Sequence, residues 1–561
     1  MSNYLFRKKS LENIQRDVAQ GSENPDEHFE GLSRSLGVRD LTFMGIAAII
    51  GAGSFSSMGS ACASGGPGVV LLFIICGIAC GFTALCYAEF ASRVPVSGSA
   101  YTYAYASFGE LFAWIIGWAL LMEYAIGNIY VAFAWSGYFT NLLDSVGLHL
   151  PEWLTCNYKS ASLAAASGNA PGEALTAWQT APMLGSLRII FDLPALCINL
   201  LVTALVYIGV KESRNVGNAM VILKLAILVI VILVGAFYID IDNWTPFLPN
   251  GFGGVMAGVS SVFFAYIGFD AVSTLADESK NPERDLPRGI LNSLVICTIV
   301  YVVLALVITG MVVYTSLGVT DPLAEVFALK GVKWMVYLVS VGAVIAITTV
   351  LLVFQLGQPR IWLSMSRDGL LPKPFQKIHP KYKTPSFATI ITGLVVGVPI
   401  LFTDEQFVLD FTSIATIFAF ILVCGGVLLL PKRDALKAKQ EGGFALPYIN
   451  GKWLVTVILC SILTILLIFS STRQYLISLF DTTQLATNLP MLVFMLFSVI
   501  IAVLSYRKNY SLIPVLGVIT CSYLLTGMTL INWLWFLAWL ALGLVIYFAY
   551  SRHHSKLNTK G

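Results

Sequence analysis

Long apolar runs separated by short polar stretches fill this chain from about residue 41 to residue 551. Fourteen such segments can be drawn, roughly 41–63, 68–91, 110–141, 189–209, 217–238, 252–278, 289–314, 334–359, 386–402, 407–430, 453–472, 489–506, 511–529 and 532–551. Each is near the roughly 20 residues that a helix needs to cross the hydrocarbon core of a bilayer. The segments at 386–402 and 489–506 are the shortest for that task. The polar stretches divide the chain. Residues 1–40 form an N-terminal segment, with a short amphipathic helix expected near Phe29–Leu36. Residues 41–430 hold ten apolar segments, 431–552 a polar linker and four more, and 553–561 a tail. The connection 142–188 is the one long loop; its Ala/Gly/Ser-rich composition reads as a weakly constrained lid without assignable chemistry.

Charge orients the pattern. Alternating the segments from a cytoplasmic N-terminus puts 28 Lys and Arg on the cytoplasmic side. Five (Lys159, Arg188, Lys330, Lys333 and Arg473) then face outward. This bias follows the positive-inside rule and fixes N-in, C-in with an even number of spans. Composition agrees: 57% of residues are hydrophobic, only 12% are charged, and mean hydropathy is +0.79. Ordinary soluble domains carry about 25% charged residues. Lipid must therefore cover this surface, and an all-α membrane protein is expected. A net charge of +3, with no basic patch interleaved with aromatics, excludes nucleic acid as a partner class. The start MSNYLFRKKSLENIQRD lacks an apolar core, so no cleaved signal peptide is read and the first span serves for insertion. Nine of the ten cysteines lie in spans and Cys156 stands alone in the outer loop, so no disulfide framework is expected.

The first and sixth segments share an irregularity. One contains Gly45-Ile-Ala-Ala-Ile-Ile-Gly51-Ala52-Gly53-Ser54-Phe55, the other Gly258-Val-Ser-Ser-Val-Phe-Phe-Ala-Tyr-Ile-Gly268-Phe-Asp270. Glycine weakens a helix interior and permits unwinding, and paired Gly-interrupted spans point to a transport site. The competing reading is close helix packing on small residues. Five spans separate the two breaks, and five is odd. If the halves share a fold, the second enters from the opposite side, giving a 5+5 inverted repeat.

An unwound membrane helix offers N–H groups to an anion and carbonyls to a cation. A free amino acid matches both. The N–H groups of Gly51, Ala52, Gly53 and Ser54 would hold its carboxylate, and the carbonyls of Ile49, Phe264, Ala265 and Ile267 its ammonium. Phe264 and Tyr266 would add apolar or gating surface. Of the 34 Lys and Arg residues only Lys224 falls inside an apolar segment. An ionisable group at that depth marks a relay or a site, although a long lysine can also snorkel to the interface.

The runs GIAAIIGAGSF, CYAEFASRVPVSGSAYTYAYASFGELFAWIIGWALLMEY, FFAYIGFDAVSTLADESKNPERDLPRGI and GQPRIWLSMSRDGLLP carry a resemblance over about residues 30–552. The chain is similar to the cationic amino acid transporter family of the amino acid–polyamine–organocation superfamily. The resemblance implies a LeuT-like fold with four additional C-terminal transmembrane helices. It implies alternating access, and a substrate held between spans 1, 3, 6, 8 and 10. It implies that the ammonium of Lys224 fills the sodium position of relatives and couples transport to protons, with a proton gradient in place of any cofactor or metal. Glu123, whose family position faces the substrate, and Asp270, beyond the second break, join it as proton-coupling candidates. Each is equally readable as a structural hydrogen-bonding group. Glu89, Asp277 and Glu278, near span ends, read as interfacial charges or gate contacts.

Two positions depart from the family pattern. Ala52 stands where many relatives carry a hydroxyl, and Ser54 lies two residues along. Phe354, placed by the GQPR anchor, would narrow the pocket and disfavour arginine-sized side chains. The expectation is a permease for small or medium neutral L-amino acids in the cytoplasmic (inner) membrane of a bacterium. A cationic amino acid transporter or exchanger is the alternative, and an amino acid sensor the rival of another class. An enzyme is not expected: all five histidines lie outside the spans, and HExxH, GxxxxGK[ST] and GxSxG are missing. Lipid is the other implied partner, and the sequence leaves open whether a small accessory membrane protein joins it.

Overall fold

The computed structural model describes residues 7–8, 36–94, 99–167, 172–185, 187–209, 214–382, 384–430, 443–468, 470–479 and 485–557. The amphipathic helix expected near 29–36 lies outside the described residues apart from Leu36, as do 431–442 of the linker and the last four residues of the tail.

Helix stands at every predicted apolar segment. The first segment is divided into α1 (Val38–Ile49) and, after a π-turn at Gly53–Ser57, α2 (Met58–Gly65). Then come α3 (Val69–Arg93), the short α4 (Ser99–Ser107), α5 (Glu110–Ser145), α6 (Leu193–Ile208) and α7 (Arg214–Ala236). The sixth segment is divided too, into α8 (Gly251–Ala257), α9 (Val259–Phe264) and a 3₁₀ stretch at Phe269–Glu278. It is followed by α10 (Pro282–Met311), α11 (Lys333–Arg367), α12 (Ser386–Ile400) and α13 (Glu405–Leu429). The last group is α14 (Gly451–Ile468), α15 (Leu485–Lys508), α16 (Leu512–Leu524) and α17 (Leu530–Ile546). Ten of the described helices are long and apolar enough to cross a membrane, and three shorter apolar ones accompany them. Without water, only a helix or closed barrel satisfies its own backbone polar groups. The protein is accordingly an all-helical, multi-pass integral membrane protein.

Burial ranks the helices. The apolar window over Val259–Ala276 is 100% buried and that in α5 is 89% buried, against 11% for α14. The centre of the bundle is therefore α5, packed on α11 and α13, together with the two divided segments, while α14, α15 and α17 lie at its periphery. Indole groups tie α17 to α5. Trp114 Nε1 donates to the Gly543 carbonyl and Trp118 Nε1 to the Trp539 carbonyl, both at 2.9 Å, and Trp539 Nε1 returns a bond to Trp118 O. Gly543 is required there, since a Cβ would meet the Trp118 ring.

The connection 142–188 corrects the expectation of a weakly constrained lid. Helices Tyr158–Ser167 and Glu173–Thr180 and a two-residue hairpin, β1 (Met183–Leu184) with β2 (Leu187–Arg188), enclose a small core of Ala161, Ala177, Ala181 and Ile190. Trp153 and Trp178 pack on it, and Arg188 stacks 5.0 Å above the Trp178 ring. Lys159 fastens this cap to the bundle by pairing with Asp404, at the head of α13.

Candidate functional site

The first divided segment opens at Ile50, whose backbone is extended (φ −79°, ψ 109°). Helix resumes at Ala52. A restarting helix leaves its first N–H groups without intrahelical partners, and Gly51, Ala52 and Gly53 stand at this restart. Ser54 does not join them in the same way. Its N–H donates to the Gly51 carbonyl at 3.0 Å and its hydroxyl to the same oxygen at 3.1 Å. The hydroxyl sought as a substitute at Ala52 is thus turned back on its own turn.

Lys224 reaches the other side of the break. Its ammonium donates to the carbonyls of Ala47 and Ile50, each at 3.0 Å, and its side chain is buried. These carbonyls belong to the last turn of α1, where orphan acceptors and the negative end of the helix dipole favour a cation. The snorkelling alternative is set aside, because Nζ points into the bundle. The Ile49 carbonyl, assigned to a substrate ammonium from sequence, accepts from Tyr301 Oη at 2.9 Å.

The second divided segment leaves helix after Phe264 and runs as turn through Gly268, which takes φ +116°. Only a residue without Cβ holds that conformation cheaply, and a Cβ there would also lie 2.9 Å from the backbone C and O of Ala48. In return, Gly53 is pressed on Ala265: a Cβ on Gly53 would come within 2.9 Å of the Ala265 Cβ and closer still to its Cα. The two breaks therefore cross in backbone contact, and Ile49 to Gly53 sits beside Phe264 to Gly268. Close packing and unwinding, which compete as explanations of the glycines, are both present. The Phe264 carbonyl also accepts from Ile267 N–H at 3.1 Å. Tyr266 turns away from the crossing. Its hydroxyl donates to Phe73 O at 2.8 Å, so it anchors α3 and supplies no gating surface. Phe264 stays at the crossing and meets Tyr130 of α5 edge to face, with centroids 4.5 Å apart.

The remaining expected residues gather on α5 and α11. Phe354 is buried against Tyr124, at 5.5 Å between centroids, and lies over Gly127, where a Cβ would be 2.9 Å from its ring. Its neighbour Gln355 binds Asn128, Asn199 and Thr203 at 3.2, 3.0 and 2.7 Å, which fixes the rotation of α11 and hence the direction of Phe354. Glu123 and Asp270 are buried and are electrostatic neighbours of each other and of Tyr87. One carboxylate oxygen of each, with the hydroxyls of Tyr87 and Tyr103, has no hydrogen-bond partner among the described residues. Glu89 is buried; it pairs with Arg93 at 2.5 Å and accepts from Leu446 N–H at 2.6 Å.

Several participants escaped the sequence reading. Glu405, at the head of α13, lies 3.4 Å from Ser56 Oγ in the π-turn, and Tyr130 Oη lies 3.5 Å from the same hydroxyl. In the sequence Asp404-Glu405 has the look of an ordinary helix start, and Asp404 does cap α13 by accepting from Phe407 N–H at 3.0 Å. Glu405 also lines a cavity of about 310 Å³ beneath the cap. In its lining, burial holds the Asp321 carboxyl up at about 6, offset in part by a hydrogen bond from Asn141. Burial pushes the Cys156 thiol up to about 11, with the nearby Asp192 and Glu173 adding to it. Among the described residues no group of His, Cys, Asp and Glu is arranged to hold a metal ion.

This arrangement has counterparts among known proteins. A family model described as "Amino acid permease" matches residues 36–456, and one for the C-terminus of such permeases matches 510–555. The chain is 37% identical over 559 residues, the whole of both proteins, to the branched-chain amino acid permease BcaP of Bacillus subtilis (strain 168). It is 36% identical to the methylthioribose transporter of the same organism, over 99% of each chain. It is also 35% identical to the chloroplastic cationic amino acid transporter 9 of Arabidopsis thaliana, over 81% of this chain and 76% of that one. These relatives are transporters and not enzymes. With the family model covering three quarters of its length, the chain belongs to the amino acid permease family.

Proposed function

We propose that this protein is a proton-coupled, secondary-active amino acid permease of a bacterial cytoplasmic membrane. In this reading it has fourteen spans, N-in and C-in, with a LeuT-like 5+5 inverted repeat at 41–430 and four further spans. It works by alternating access between the two crossed breaks and the helices around them. The N–H groups of Gly51, Ala52 and Gly53 take the substrate's α-carboxylate. Free lone pairs on the carbonyls around Phe264–Ile267 take its α-ammonium.

The observation that carries the reading is the seat of Lys224. A buried ammonium held by two carbonyls of an opened helix occupies the place of a bound cation. Losing its proton there would release Ala47 and Ile50 and loosen the break. Burial disfavours the charged form of a lysine while the two acceptors favour it, and that opposition suits a group that exchanges protons. Glu123 and Asp270, both buried, are the further proton-coupling candidates.

Small or medium neutral L-amino acids are the favoured substrates. The placement of Phe354 over Gly127 supports this, as does full-length similarity to a permease whose name specifies branched-chain amino acids. A second reading, transport of cationic amino acids, is favoured by the names of several plant and animal relatives. The test is uptake of labelled leucine, alanine and arginine into proteoliposomes under separate pH and sodium gradients. Accumulation should follow the pH gradient. Lys224→Ala should lose proton-driven accumulation while still binding substrate. Uptake that needs sodium and ignores pH would end the proton reading, and binding without any uptake would make the protein a sensor.

A further inference from the structure

The outer cavity is asymmetric in charge. Its lining includes Asp144, Glu173, Asp192, Asp321 and Glu405 and no Lys, Arg or His. Most of these carboxyls have local employment. Asp192 caps α6 and accepts from Ser136 at 2.6 Å, Asp321 accepts from Asn141, and Asp144 pairs with His149 at 2.7 Å. Glu405 is different. Among the described residues it has no cation beside it, and its contacts are the hydroxyls of Ser56 and Tyr130. Lys159, in the cap, is committed elsewhere: it pairs with the adjacent Asp404 and sits 5.4 Å over the Phe407 ring. A half-buried carboxyl is costly to ionise without a counter-charge. This one stands where the cavity meets the π-turn that follows the first break, one contact from the Tyr130–Phe264 pair.

We infer that Glu405 is a specificity-determining residue at the outer mouth. It receives the positively charged group of an arriving solute, an alkylammonium or a guanidinium, and the field of the surrounding carboxyls bars solutes of net negative charge. The missing counter-charge of Glu405 is supplied by the solute itself on its way to the crossing. Passing on to the break, the ammonium exchanges one carboxylate for the carbonyls around Phe264, so Glu405 acts on capture and not on the later steps. Zwitterionic and cationic amino acids are admitted on this basis, and glutamate and aspartate are excluded. The inference rests on the permease reading for its direction of use. Its charge argument is separable from that reading.

Two measurements test it. The first needs no transport. Cys156 lines the same cavity and is a native reporter thiol. In nanodiscs, its modification rate by a trimethylammonium methanethiosulfonate is compared with that by the sulfonate analogue. The ratio is normalised to that of a free small thiol and corrected with Cys156→Ala. The normalised ratio should favour the cation by about tenfold or more, as expected of a cleft lined by one sign of charge. Glu405→Gln, which keeps the shape and the acceptor for Ser56, should reduce it several-fold. A normalised ratio near one, or one that Glu405→Gln leaves unchanged, overturns the inference. The second is uptake of labelled leucine and arginine by both proteins, with unlabelled glutamate as competitor. Glu405→Gln should raise KM about tenfold for whichever substrate is carried, with kcat retained, and glutamate should not compete with the unaltered protein. An unchanged KM, or competition by glutamate, overturns the role of Glu405. If the unaltered protein carries neither leucine nor arginine, the proposed choice of substrates fails at that point, while the labelling ratio still decides the charge selection.

Discussion

Replacing Gly53 by alanine tests the crossing of the two breaks most directly. The added Cβ would stand 2.9 Å from Ala265 Cβ and 3.2 Å from Ala265 N, with Ala265 Cα nearer still. Carbon atoms are best separated by about 3.5–4.0 Å. The obstacle is backbone, so no rotamer change can clear it, and the two segments must part by on the order of 1 Å. Overpacking of this kind costs about 1–3 kcal/mol. The functional loss should be larger than the stability loss suggests, because parting the segments separates the N–H cradle from the carbonyls opposite. Gly81→Ala is the control: nothing lies within 4 Å of its Cβ position, and alanine is the better helix former. Purified protein would be melted with and without leucine, and uptake measured on the fraction that remains folded. Gly53→Ala should melt a few degrees lower, lose most ligand-induced stabilisation and raise KM strongly, while Gly81→Ala keeps all three. If Gly53→Ala melts and transports like Gly81→Ala, close contact between the breaks does not hold the site together.

Two further outcomes follow from other parts of the molecule. Phe354→Ser should widen the pocket beside Gly127. Deleting a buried Phe commonly costs about 3–5 kcal/mol, so the measured quantity is the ratio of arginine to alanine binding in folded protein. That ratio should rise, and an unchanged ratio would remove Phe354 from substrate selection. Asp321 should add a pH dependence to stability. Its folded-state pKa, about 6, lies above the ordinary 3.8, so the folded protein holds a proton that the unfolded chain releases earlier. Its contribution is then fully present below about pH 4 and declines as pH rises towards about 6. Melting temperature against pH should fall less across that window in Asp321→Asn than in the unaltered protein; parallel curves would contradict the assignment.

Much of this architecture is written in the order of residues. Apolar length and the near absence of charge dictate membrane helices, because the bilayer accepts little else. The glycine runs at Gly51–Gly53 and Gly268 mark the breaks, since only positions without Cβ permit them. A lone lysine in an apolar segment announces a site by its cost. These are one-dimensional signals, each carried by a segment that needs no knowledge of its neighbours.

The partners of those groups are a different matter, because they are set by which helices meet. Nothing local separates a snorkelling Lys224 from one that binds Ala47 and Ile50, residues 177 and 174 positions away in the chain. Tyr266 sits in the motif and points to Phe73, while Tyr130 and Tyr301, outside every motif, reach the breaks. Ser54 has the right chemistry beside Ala52, yet the pitch of its turn sends the hydroxyl to Gly51. Glu405 is an unremarkable helix-start acid until α13 is packed beside the π-turn and the outer cap closes above it. The sequence by itself determined a helical membrane permease with two broken spans and a buried cation. Tertiary structure decided which carbonyls hold that cation and which hydroxyls meet Glu405, because hydrogen bonds and charges act over a few ångströms in space and are blind to distance along the chain.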